Sequence, residues 1–165
     1  MSSGVQTKKA TVKSKSPDEI FKLWILFNNT FFAISRAREI EIAKFGLTHE
    51  QAILIYTLIK NGGSATLSEI AESTVRQYHS VSSLVKRMTK SGLVKKVKYQ
   101  DKKKFEVSIT DKGFEIYNKI PRNSIEMTFS VLAPKDQKVF AKCLQRLTLR
   151  ARDLLNLDYK YPFLP

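Results

Sequence analysis

Between Arg76 and Lys104 the sequence sets ten Lys and Arg against one acid, Asp101. Such a stretch has to keep its cations in water while hiding a narrow apolar set. Val81, Leu84, Val85 and Met88 form that set, recurring at the spacing of one helix face. The helix is expected from about 77 to 91. At ~100° per residue its opposite face carries His79, Ser82, Ser83, Lys86 and Lys90, with Arg76 and Arg87 on the flank. A solvated face ordinarily mixes both charge signs; this one holds no acid, which favours phosphates and base edges as its partner. Gly92 ends the helix, and 93–98 and 104–109 read as two strands. Tyr99, Gln100, Asp101, Lys102 and Lys103 form the turn between them. A helix followed by a basic two-stranded ribbon is what a winged helix-turn-helix presents to DNA.

The rest of the chain concentrates this signal. Net charge is +14 and pI about 9.9, which calls for a polyanionic partner, nucleic acid before an anionic membrane surface. The stretch 76–104 supplies +9 of that total, whereas 17–75 sums to −2. Ten Phe, six Tyr and one Trp exclude a disordered chain. A single cysteine, Cys143, excludes an internal disulfide framework and suits a reducing cytoplasm. No apolar run is long enough to span a bilayer, and no apolar segment precedes Ile20 as a secretory signal would require. The expectation is a cytoplasmic protein with no membrane partner.

Taken in order, 1–15 is a flexible basic tail. Ser16-Pro17-Asp18-Glu19 opens a long helix running to about Lys44, with a capping serine, a proline at the first position and an acid at the dipole's positive end. From Phe21 to Phe32 this helix is apolar on more than one side, so it needs a second surface to cover it. Gly46 stops it. Thr48 with Gln51, and Thr66 with Glu69, are capping boxes for a second helix and a third, short one reaching about Ser73. Ser64-Ala65 between them is a link or a single bridging strand. Thr110 opens another helix, which Pro121 interrupts. A last helix runs from Pro134 to about Asn156, with Cys143 on its apolar stripe as a buried structural thiol. The aromatic tail after Asn156 is expected to lie over a hydrophobic surface.

These pieces give a mainly α fold: a winged helix-turn-helix with a two-stranded wing over 47–110, flanked by dimerisation helices over 16–46 and 111–165. Leaving the flanking helices' apolar faces in water would cost ~25 cal/mol per Å², so a homodimer is the economical arrangement.

In order and spacing the sequence resembles the MarR (multiple antibiotic resistance regulator) family over roughly 17–156. The carrying residues are Leu47-Thr48-x-x-Gln51, Leu67-Ser68-Glu69-Ile70-Ala71, Val81-x-x-Leu84-Val85-x-Arg87-Met88 with Gly92-Leu93-Val94, Asp101-x-Lys103, Ile109-Thr110-x-x-Gly113 and Val131-Leu132-x-Pro134. The resemblance implies an obligate dimer with intertwined terminal helices and a major-groove helix within 75–91. It also implies a wing tip at 99–103 and a ligand pocket between the dimerisation helices and the winged unit, often for aromatic acids. Two departures stand out. The family's wing motif is Asp-x-Arg, and here Lys103 replaces the arginine; Lys86 stands where an Asp commonly precedes Arg87. Lysine is a compact point charge, not a planar fork, so wing contact becomes more electrostatic.

An enzyme would need a nucleophile–base pair or clustered carboxylates, and the sequence shows neither. His49 and His79 are coupled to no acid by any motif, Gly62-Gly63 lacks the Lys-Ser/Thr of a phosphate loop, and no zinc spacing or cofactor motif occurs. His49 reads as surface, and Arg36 and Arg38 as surface or ion-paired. The expectation is therefore a non-enzymatic, sequence-specific transcriptional regulator. It acts as a repressor, binding a palindromic operator as a homodimer. Base readers are Arg76, Gln77, Tyr78, His79, Ser82 and Ser83; phosphate contacts are Lys86, Arg87 and Lys90; Asp101, Lys102 and Lys103 make the wing. A small aromatic effector would use Trp24, Phe27, Phe31 and Tyr56, although an aromatic stripe at helical spacing is more often dimer core. The rival function is a winged-helix protein-interaction module without sequence-specific DNA binding.

Overall fold

Two side-chain capping boxes, one proline and four glycines at positive φ divide the chain into its elements. The computed structural model describes residues 17–98 and 105–157. The basic tail, the Ser16 cap, wing residues Asp101, Lys102 and Lys103, and the aromatic C-terminal segment 158–165 lie outside them.

Helix α1 (Pro17–Ala43) begins with Asp18 and Glu19 in its first turn, where carboxylates complement the dipole. Gly46, at φ +74°, turns the chain into α2 (His49–Lys60). There the Gln51 amide donates to Thr48 Oγ1 at 3.3 Å, and the Thr48 amide donates to Gln51 Oε1 at 2.8 Å. Strand β1 (Ser64–Thr66) leads directly into α3 (Leu67–Thr74), whose cap is the reciprocal Thr66–Glu69 pair. Helix α4 (Tyr78–Lys90) is followed by Gly92 at φ +73° and by β2 (Val94–Lys98) and β3 (Phe105–Ile109). The chain closes with α5 (Asp111–Asn118), α6 (Asn123–Phe129) and α7 (Pro134–Leu154).

The wing is more than a two-stranded hairpin. The sheet has order β1-β3-β2, all antiparallel, with Ala65 opposite Val107 and Lys96 also opposite Val107. The bridging strand that the sequence left as one alternative is thus a ladder strand. It is fixed by the Ile109 amide donating to the Gly63 carbonyl at 3.0 Å and by Ser64 Oγ donating to Glu106 at 2.9 Å. Seven helices occur among the described residues, one more than the sequence reading, because Pro121 breaks its helix outright and separates α5 from α6.

Leu54, Ile55, Leu58, Ile70, Val81, Val85, Met88, Val94 and Val107 are almost fully buried and form the centre of the core. Among the described residues, only Ile42 and Ile120 of the buried hydrophobic core come from outside 47–107. The winged unit therefore holds nearly all the core. Burying each Leu, Ile or Val side chain contributes about 1.5–3 kcal/mol. The flanking helices bury almost nothing in the single chain: Ile42 is the one buried residue of α1, and Arg152 that of α7. Cys143 accordingly is exposed, correcting the expected buried thiol. The stripe it sits on is apolar, but no element among the described residues covers it.

Candidate nucleic-acid interface

The apolar stripe of α4 sets the rest of its surface. With Val81, Leu84, Val85 and Met88 turned into the core, Tyr78, His79, Ser83, Lys86, Arg87 and Lys90 are exposed and Ser82 is half-buried at the rim. This is the face the sequence singles out, and the fold leaves it free. The helix starts one residue later than expected. Gln77 is in extended conformation at the cap position, and its side chain makes no capping hydrogen bond. The first turn contains no acid. Unlike α2, α3 and α5, α4 thus keeps its first amide donors and the positive end of its dipole without a side-chain acceptor, an arrangement suited to phosphate.

Arg76 lies in the turn before α4 and is exposed. Its Nη2 stands 3.6 Å from Glu50 Oε1, both side chains being well solvated. Such a pair is worth at most about 1 kcal/mol, so it orients Arg76 without withholding it. The Glu50 carboxyl is held below its ordinary range chiefly by its own backbone amide, with further help from the Thr48 hydroxyl and Arg76 against the opposing effect of burial.

Beside α4 the sheet adds Lys95, Lys96 and Lys98, all exposed on β2. A groove of about 560 Å³ runs between the start of α3, the start of α4 and the sheet, with Tyr78, Ser82, Lys96, Phe105 and Glu106 among its walls. Phe105 is 60 % exposed. The sequence reading gave it no role beyond a strand position. Its exposure follows from a register that puts Val107 inward, so two residues earlier the same side of the ladder has already left the core. Lys98 and Phe105 pair at the end of the ladder, on either side of the segment holding Asp101, Lys102 and Lys103.

The effector candidates are not brought together. Trp24, Phe27 and Phe31 lie on the exposed N-terminal part of α1, with the Phe21 and Trp24 rings tilted against each other at 5.7 Å and Phe31 edge-on to Phe32 at 5.8 Å. Tyr56 instead lines a cleft of about 550 Å³ among α1, α2, α5 and α6. Arg38, His49, Lys60, Tyr117 and Arg122 share that cleft with apolar Ile42, Ala52, Ile125 and Phe129. The Lys60 ammonium sits 5.6 Å from the centre of the Tyr56 ring. His49, read from sequence as surface, has its Nδ1 buried with no hydrogen-bond partner among the described residues. Burial pushes the Tyr117 hydroxyl above its ordinary pKa, against the opposing fields of Arg122 and Arg38. Arg38 is ion-paired as expected, 2.6 Å from Glu41, while Arg36 pairs with Glu39 at the surface. No local pattern links His49, Tyr117 and Arg122; the fold alone converges them.

Among the described residues no three His, Cys, Asp or Glu side chains are grouped to hold a metal, and no helix is long and apolar enough to cross a membrane. The MarR family model matches residues 45–103, which covers α2 through β2. An organohalide-sensing RdhR transcriptional regulator solved with 2,4-dichlorophenol bound superposes with a TM-score of 0.76 at 23% identity, covering 93% of this chain and 95% of that one. AbsC, a MarR family transcriptional regulator from Streptomyces coelicolor, gives 0.73 at 22% identity over 86% of this chain and 99% of its own. A cysteine-to-serine mutant of MarR from E. coli, solved with operator DNA, gives 0.70 at 16% identity over 81% and 99%. At these identities the likeness is one of fold. No curated protein matches the sequence.

Proposed function

We propose that this chain, a MarR-family winged-helix protein by its residues 45–103, is a DNA-binding transcriptional regulator that acts as a homodimer. The carrying observation is the outward face of α4. It runs from Tyr78 to Lys90, exposed except for half-buried Ser82, free of acids, open at its amide-bearing N-terminus and bordered by the lysines of β2. Tyr78, His79, Ser82 and Ser83 lie in its first two turns and read base edges, with Arg76 and Gln77 at the entry. Lys86, Arg87 and Lys90 hold phosphate, and Asp101, Lys102 and Lys103 form a wing that adds cationic contact to the neighbouring minor groove. A two-fold dimer places two α4 helices in major grooves about 10 bp apart, on a palindromic site. Occupying a promoter in this way represses it. The chemistry is binding, which fits the MarR family match and the transcriptional regulators of similar fold.

The cleft around Tyr56 supports an effector reading. Its cations, aromatic hydroxyls and apolar walls suit a small aromatic anion or phenol, and the organohalide-sensing regulator of similar fold was solved with a chlorophenol. Bound there, a ligand touches α1, α2 and the α5–α6 break together and releases DNA by altering their spacing.

Anisotropy titration of promoter duplexes tests the DNA reading. The binding constant is expected to fall steeply with salt. Replacing Lys102 and Lys103 together by Ala removes two cations from each of the two subunits and should flatten the log–log slope by up to about 4, since each neutralised phosphate accounts for ~0.9. Salt-independent binding, or equal weak binding to every duplex, would sink it in favour of a protein-interaction module.

A further inference from the structure

Arg152 is 5% exposed and is the only buried residue of α7, whose other described side chains are half-buried or exposed. It lies near the C-terminal end of that helix, where its own carbonyl accepts from the Leu157 amide at 3.1 Å. Its guanidinium is directed at the winged unit: Nη1 donates to the Glu72 carbonyl oxygen at 3.4 Å. Glu72 belongs to the last turn of α3. There the last carbonyls carry the negative end of the helix dipole, and a cation is favoured.

That carbonyl is also part of the turn that aims α4. The Val75 amide donates to it at 3.3 Å, and the Arg76 amide donates to the Ala71 carbonyl at 2.9 Å. Val75 caps α3 at φ 52°, ψ 42°, a left-handed conformation that a β-branched residue adopts only under constraint. Its side chain is 53% exposed, so no core contact holds it there. The corner is held by hydrogen bonds at the end of α3, and Arg152 reaches one of their acceptors. A buried cation is costly compared with an apolar side chain of similar size, which makes sense if the charge is retained for position.

The opposite end of α4 is tied as well. Lys112 Nζ donates to the Ser91 carbonyl at 2.8 Å, and Thr110 Oγ1 to the Gly92 carbonyl at 2.7 Å. Both ends of the DNA-facing helix are thus braced from segments that flank the winged unit, α5 at its C-terminus and α7 at the turn before its N-terminus.

We infer that Arg152 is a positioning residue for DNA reading: it fastens the α3–α4 turn to α7, so that a displacement of α7 reaches the recognition helix through the Glu72 carbonyl. Among the described residues nothing covers the apolar side of α7, with Val139, Leu147 and Leu154 each at least 60% exposed, so whatever packs there sets where Arg152 sits. The consequence for DNA rests on the DNA-binding reading; the coupling of α7 to the turn does not.

The test uses the full chain with Arg152→Met, which keeps an apolar stem, and Arg152→Lys, which keeps charge without the planar fork. Amide hydrogen exchange is measured at Arg76, with Val85 and Met88 as core controls. Anisotropy is measured on a duplex enriched from a random pool by the wild type and on its scrambled counterpart. Arg152→Met is expected to speed Arg76 exchange and weaken the enriched duplex by about tenfold each, a usual size for coupling between linked sites, with Arg152→Lys intermediate. Core exchange, affinity for the scrambled duplex and salt slope stay as in the wild type, because every phosphate-binding cation remains in place. Unchanged Arg76 exchange overturns the inference, as does a rise shared equally by Val85 and Met88, which marks a purely structural residue. If Arg152→Met does not fold, Arg152→Lys decides by the same local comparison. A wild type that fails to distinguish the two duplexes overturns the DNA reading instead, and the exchange data still decide the coupling.

Discussion

At Gly113 a β-carbon would stand 2.2 Å from the Leu93 carbonyl oxygen and 3.3 Å from the Ile109 side chain. The first contact is with backbone at the start of the wing, so no rotamer change relieves it. Gly113→Ala is expected to destabilise the fold by about 3 kcal/mol, the upper part of the range for overpacking, seen as a lowered midpoint in thermal denaturation. A midpoint matching the wild type would mean that α5 can slide away from β2. Sequence alone marks Gly113 as a match to a family pattern; the reason for it is a contact with Leu93, far back along the chain. Val75 is the converse case. Nothing in its type announces a left-handed residue, and only the hydrogen bonds around Glu72 account for it.

Among the elements, the join between α1 and α6 is where a sequence interruption becomes a structural device. Pro121 cannot donate a backbone hydrogen bond, and the helix stops at Asn118. Helix α1 then grips both sides of the gap: Arg38 donates to the Pro121 carbonyl, and Glu41 accepts from the Ser124 amide and hydroxyl at the start of α6. Burial works to raise the Glu41 carboxyl, but the Ser124 hydroxyl, the Arg38 guanidinium and the Ser124 amide outweigh it and hold it below its ordinary value of 4.5. A carboxyl depressed on folding contributes stability that is complete above its unfolded pKa and disappears as pH falls through the folded one. The fold is therefore expected to lose stability below about pH 4.5, the ordinary carboxyl value. Glu41→Gln should be less stable than the wild type near neutral pH and flatten that acid loss, read as urea midpoint against pH. Since a partly buried pair is broken, the neutral-pH cost is about 3 kcal/mol. An unchanged acid limb would assign the loss to other carboxylates.

For the molecule as a whole, the exposed apolar surface is the dominant fact. Leu26, Phe31 and Phe32 on α1 are 55–63% exposed, and Val131 and Met127 more so. A face of this size fits the proposed second copy and, with it, the proposed two-fold binding to DNA. Phe32→Glu is expected to weaken the dimer at least tenfold, since burying one large apolar side chain is worth about 1.5–3 kcal/mol, and to weaken DNA binding with it. Sedimentation velocity gives the mass directly. A mass unchanged by the substitution, at concentrations where the wild type begins to dissociate, would place the contact elsewhere.

The sequence by itself determined the winged unit. Helix-period stripes, two capping boxes and the cation run are local signals, and each carries its own physical reason: side-chain spacing, orphan amides at helix starts and the cost of burying charge. Even the α4 face and its residues from Tyr78 to Lys90 follow from one stripe, because a helix that buries Val81, Leu84, Val85 and Met88 has only one other side. The tertiary structure decided what depends on contacts across the chain. It made β1 a sheet strand, broke the helix at Pro121 and gathered His49, Tyr117 and Arg122 around Tyr56 while leaving Trp24, Phe27 and Phe31 apart. It also turned Cys143 outward and buried Arg152 at the end of α3. Such placements are set by where separate helices cross, and no periodicity within one helix records the position of another.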